Sequence, residues 1–165
     1  MPYILFAFTL PWSITVGWGW VGLMILIGAA HKPRWEPTLM LTAQWRPWVE
    51  NLWEYTTTLG RGIIYQAGAR DDARIRAHEA VHVRQVEDMM LLSLFVGLAV
   101  GYWSEDWPMA LCIWWSGGLW QLPNFLTALL RRGDAYLDSE HERSAYAQTD
   151  LQAGGKSWLE KRDSV

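Results

Sequence analysis

Residues 71–88 read DDARIRAHEAVHVRQVED, and the rest of the chain is best understood outward from them. Asp71 or Asp72 offers a carboxylate to cap a helix that runs through Ala73 and Ile75 and on past Glu87. On such a helix His78 and His82 stand four residues apart, so their imidazoles share one face about 6 Å apart and can reach one ion. Neutral imidazole binds Zn²⁺ at about 2.0–2.1 Å, and a catalytic zinc takes three protein ligands and keeps a further position open for water. Glu79 lies beside that position. Zinc lowers the pKa of its water toward ~7 and polarises a carbonyl; Glu79 can take the proton and carry it to a leaving amine. The pattern HEAVH arises by chance in roughly one sequence in two hundred of this composition. Its placement just after a helix cap, with Val81 and Val83 around it, favours a site over two solvated histidines on an Arg-rich helix.

Beyond this helix come two apolar runs, 89–103 and 107–130, separated by Ser104, Glu105 and Asp106. They read as a hydrophobic helical hairpin over 89–130, bent or interrupted at Gly117-Gly118 and Pro123. Residues 134–153 are helical by composition and rich in liganding side chains. Glu140, His141 and Glu142 can each supply a third ligand, and spacing does not choose among them. Residues 154–165 are polar and expected to form a flexible tail. On the other side, residues 56–65, TTTLGRGIIY, read as a short strand or hairpin, and residues 67–70 as a turn. Residues 31–55, with Pro33, Pro37 and Pro47, read as an interfacial connector containing an amphipathic helix over 47–55. Residues 3–30 form one apolar stretch, of which 12–30 is about the length needed to cross a bilayer core. No Lys or Arg precedes Lys32, which suits a retained anchor better than a signal peptide.

Composition agrees with a membrane setting. The chain has 165 residues, room for one domain, and 13 of them are Trp, a side chain at home where apolar surroundings meet water. The net charge of −3 lacks the basic excess of a nucleic-acid binder. The single cysteine, Cys112, sits in an apolar run and reads as packing. Eight Lys and Arg residues lie between the first and second apolar runs, Arg131 and Arg132 follow the third, and the loop between the second and third is acidic. Three spans with the central segment in the cytoplasm satisfy the positive-inside tendency. The competing reading makes 89–130 the buried hairpin of a compact soluble domain.

HEAVH followed at a distance by Glu142 and, three residues later, Ala145 resembles the gluzincin metallopeptidases. The layout is similar to that of the membrane zinc peptidases of the bacterial heat-shock and CAAX-prenyl protease type. HEAVHVRQVED is also similar to the HE-x-x-H-V-x-Q segment of small bacterial and phage metallopeptidases. The resemblance covers 56 to about 150. It implies a mainly α fold with a small β element, an α+β minigluzincin-like core over 56–153, with an N-terminal transmembrane helix within 1–30. It implies one Zn²⁺ held by His78, His82 and Glu142, with Glu140 in reserve, and Glu79 as the catalytic base. Peptide or protein substrates at a membrane, and membrane lipid itself, are the implied partners, and the cytoplasmic membrane the location. A substrate-binding edge strand is implied at Ile63-Ile64-Tyr65. Where the family carries Asp after the Ala, this chain has Tyr146; Asp138 or Asp150 can substitute as a partner for a ligand histidine. Of the groups able to support an oxyanion, Tyr136, His141, Arg143 and Tyr146, the last, one turn beyond Glu142, is the one expected to act as a catalytic residue. Two other functions compete: a non-catalytic membrane protein with a structural metal closed by a fourth ligand, such as His141, and a metal-free membrane scaffold or assembly factor.

Overall fold

The computed structural model describes residues 7, 12–36, 38–52, 56–120 and 140–149, the side chains of Ser13, Ile14, Trp120, Glu140 and His141 excepted. Over these residues the chain is mainly helical, with one small four-stranded sheet. Expectations that fall on Tyr136, Asp138, Asp150, residues 121–130 of the hairpin and the tail 154–165 lie outside the described residues.

The apolar N-terminal segment is not one helix to residue 30. A π-helical stretch, Ser13–Trp18, leads into α1, Gly19–Leu26, and the chain turns at Gly28, whose φ of +74° suits a residue without a Cβ. Ala30 already belongs to a strand. The described apolar helix there, Thr15–Leu26, is shorter than a bilayer crossing requires. Part of it serves as core: Val21 is buried and packs with Ala30, Ala43, Trp45 and Ile64 of the sheet. Close approach is built in at Gly17 and Gly62, where a Cβ on Gly62 would lie 2.1 Å from the Gly17 carbonyl oxygen.

The stretch expected to be a connector holds two strands, β1 (Ala30–Trp35) and β2 (Leu41–Trp45), paired antiparallel with a register shift between His31 and Arg34. Of the helix expected over 47–55, one turn is described, α2 (Pro47–Glu50). The TTTLGRGIIY segment forms the expected hairpin, β3 (Thr57–Leu59) and β4 (Gly62–Tyr65). The sheet order is β1-β2-β4-β3, with β4 parallel to β2. Ile63, Ile64 and Tyr65 therefore lie in an interior strand, paired on both sides, and cannot be the substrate-binding edge. Among the described residues the edges are β1 and β3.

Helix α3, Ala73–Ser104, is a single 32-residue helix, about 48 Å long, capped by Asp72, whose side chain accepts from the Arg74 N–H at 2.8 Å. Its two halves have different surroundings. Up to Met90 it packs on the sheet, burying Val83 against Ile63 and Tyr65, and Val86 and Met90 against Trp12. Beyond Met90 it buries only Gly97 and Gly101, both turned to α4 (Trp107–Ser116) across a tight bend at Glu105-Asp106. A Cβ on Gly97 would stand 2.6 Å from the Ala110 carbonyl oxygen, so the hairpin closes only because a glycine is there. By length and composition α3 can cross a membrane, and 28 % of its most apolar window is buried.

A buried ion pair fastens the β3–β4 turn to α3. The Arg61 guanidinium donates to the Glu87 carboxylate and to the Thr38 carbonyl, with both side chains under a tenth exposed. Replacing Glu87 by Ala should cost about 3–5 kcal/mol, because a guanidinium loses its carboxylate out of water. Thermal melts should show a fall in Tm of roughly 10 °C, whereas Arg61→Met combined with Glu87→Met should recover most of it. Equal losses in the single and double variants would contradict this account of the pair.

Candidate metal centre

His78 and His82 lie on a buried side of α3, 2 % and 3 % exposed. The third group arrives from α5, Glu140–Thr149, where Glu142 is 2 % exposed and Ala145, three residues on, is fully buried. His78 Nε2 stands 3.1 Å from Glu142 Oε2, His82 Nε2 3.3 Å from Glu142 Oε1, and the two Nε2 atoms 3.1 Å from each other.

Three lone-pair atoms at such spacing repel unless a cation, either protons or a metal ion, lies among them. The ligands of a tetrahedral zinc at 2.0–2.1 Å are about 3.3–3.4 Å apart, close to the separations found here. His78, His82 and Glu142 can hold a metal ion. The structure brings these residues together, as expected, although 59 positions separate His82 from Glu142 and a large part of them is apolar. The structure gives no side-chain position for Glu140 or His141 to set against it.

Around this group are further contacts. His82 Nδ1 lies 3.0 Å from Gln85 Oε1. The amide oxygen accepts from Nδ1–H, which leaves Nε2 as the atom directed at His78 and Glu142. His78 Nδ1 is buried without a hydrogen-bond partner among the described residues, and its ring packs against Tyr146, centroids 4.5 Å apart. The ring of Tyr146, expected as a catalytic group, thus stands beside His78. Glu79, 3 % exposed, accepts a hydrogen bond from the Thr58 hydroxyl of β3. Sequence reasoning did not single out Thr58: in the run Thr56-Thr57-Thr58 no local signal marks which hydroxyl meets helix α3. For Gln85 the sequence signal is its place three positions after His82, where it can either hydrogen-bond near the site or lie on a solvated helix face.

Burial by itself would push the Glu142 carboxyl up, but the hydrogen bonds and charge of His78 and His82 outweigh it and hold the group at about 2. A depressed carboxylate contributes stability that is complete above its ordinary value of 4.5 and disappears as pH falls through the folded value. Metal-free protein should therefore lose stability between about pH 4.5 and 2 more steeply than its Glu142→Gln variant. Melts across that range check it, and parallel curves would contradict it. Burial, reinforced by Glu79 and Glu36, pushes the Tyr65 phenol upward, so it stays protonated at neutral pH.

No protein-family model matches the chain, and no curated protein or solved structure matches it significantly.

Proposed function

We propose that this protein is a zinc-dependent endopeptidase acting at a membrane. The observation that carries the proposal is the meeting of His78 Nε2, His82 Nε2 and a Glu142 oxygen at 3.1–3.3 Å, with Glu79 buried one residue from the first ligand. Two imidazoles and one carboxylate suit zinc, and three protein ligands leave room for a reacting oxygen. Zinc bound there supplies Lewis acidity, acidifying water and polarising a scissile carbonyl. Glu79 removes a proton from the attacking water and delivers it to the leaving amine nitrogen. Thr58 fixes the orientation of that carboxylate from the sheet.

The sheet edges support a peptide as substrate. β1 is guarded by Lys32, Pro33, Arg34 and its register shift, devices that discourage strand addition. β3 carries only Thr57, Thr58 and Leu59, and its middle residue touches Glu79. An extended peptide adding to β3 by main-chain hydrogen bonds would run past the base. This moves the substrate edge from Ile63-Ile64-Tyr65 to the neighbouring strand.

The outer half of α3 and α4 supports bilayer insertion. Leu92, Phe95 and Leu98 are exposed, and Tyr102, Trp103 and Trp107 cluster exposed at the acidic tip, as interfacial aromatics do. Arg74, Arg76 and Arg84 at the other end of α3 favour a site on the cytoplasmic side. Full-length protein in detergent should hydrolyse an unfolded substrate such as casein, stop when a chelator removes the metal, and recover with Zn²⁺ alone. Stoichiometric zinc without any hydrolysis would favour a structural metal site. Absence of zinc would favour a scaffold whose His–Glu cluster is a salt-bridge network.

A further inference from the structure

The two imidazoles of the cluster are held by different means. The ring of His78 is braced by Tyr146, and its Nδ1 has no hydrogen-bond partner among the described residues. The ring of His82 is hydrogen-bonded through Nδ1, at 3.0 Å, to the side-chain oxygen of Gln85. Gln85 lies three positions on along the same helix, a spacing that places the two side chains as neighbours. A neutral imidazole has one N–H and one lone pair, and the partner of one nitrogen dictates which atom is free to bind a metal. If Nδ1 lost its acceptor, the proton could move to Nε2, the atom 3.1 Å from His78 Nε2 and 3.3 Å from Glu142, and block the ligand position.

We propose that Gln85 is a positioning residue for the metal: by accepting the Nδ1–H of His82 it commits that imidazole to the tautomer whose Nε2 binds the ion. This rests on the metal-site reading above, but it concerns affinity and tautomer rather than catalysis. Because Gln85 and His82 share a helix, His82 is oriented independently of where α5 brings Glu142. The amide is also a neutral acceptor. A carboxylate in its place would make His82 a stronger donor.

Two variants of similar size separate this role from simple packing. Gln85→Met removes the acceptor, whereas Gln85→Glu keeps it and adds charge. Zinc dissociation constants for the full chain in detergent, measured by competition with a chromophoric chelator at fixed pH, are expected to rise about 10–100-fold for Gln85→Met. For Gln85→Glu they should stay at the wild-type value or fall below it. Long-range ¹H–¹⁵N spectra of the metal-free proteins, recorded at a pH high enough for His82 to be neutral, should show its single proton at Nδ1 in wild type and shifted toward Nε2 in Gln85→Met. Equal affinity in all three proteins, or equal weakening in both variants with no change of tautomer, overturns the role given to Gln85 while leaving the metal site standing. Failure of the wild type to bind zinc overturns the metal reading and this inference with it.

Discussion

Replacing Glu79 by Gln should lower the turnover of peptide hydrolysis by about 10²–10⁴-fold while leaving one zinc bound per chain. The substitution keeps shape and volume in a position that is 3 % exposed, and the amide still offers an oxygen to the Thr58 hydroxyl, so the helix and its metal ligands have no reason to move. What is lost is a carboxylate able to accept a proton from water and release it to a leaving amine. The expected signature is a fall in kcat with zinc content and Tm close to wild type. Unchanged turnover would remove Glu79 from the chemistry. Loss of zinc would instead place it among the ligands.

The second large effect is expected at Glu142. Replacing a residue that only orients a ligand costs about 10–100-fold in metal affinity, and removing a ligand outright should exceed that, so Glu142→Ala is expected to weaken zinc binding by more than about 100-fold. The Glu140→Ala variant is the matched control, two residues away on the same helix, and should retain zinc near the wild-type level. Both chains can be titrated with zinc against a competing chelator. A reversed order, with Glu140→Ala losing the metal, would transfer the ligand role to Glu140 and undo the assignment. The effect at Glu142 also has a structural side, because its carboxylate joins α5 to α3 through both histidines, and melts of the metal-free variants separate that contribution from metal affinity.

The parts of this protein legible in its sequence are the ones decided locally. A cap at Asp72, two histidines one turn apart and a glutamate between them are consequences of helix periodicity, and α3 has all three where expected. The hairpin bend at Glu105-Asp106 was legible because acidic residues interrupt two apolar runs. Glu142 was different. Its neighbours Glu140 and His141 offer equivalent chemistry, and only a family resemblance chose among them. The sheet was harder. β1 is largely exposed, contains Pro33 and a Lys32 with φ of +51°, and so shows no alternation of apolar and polar residues. The interior position of β4 depends on its parallel pairing with β2, a contact between segments some 20 residues apart that neither segment encodes alone. Composition does not decide the N-terminal apolar stretch: a helix packed on a sheet and one crossing lipid are both apolar around much of their surface, and the described part packs on the sheet through Val21 before the turn at Gly28.

The claim on which the rest depends is that two imidazoles and one carboxylate share a single ion and leave it open to a further oxygen. Zinc K-edge X-ray absorption on the purified full-length protein, with metal stoichiometry from the same sample, tests this directly. One zinc per chain, with two imidazole nitrogens and the remaining ligands oxygen, is the predicted result. A third imidazole in the shell, as from His141, or no stoichiometric metal in the wild-type protein, would contradict the account.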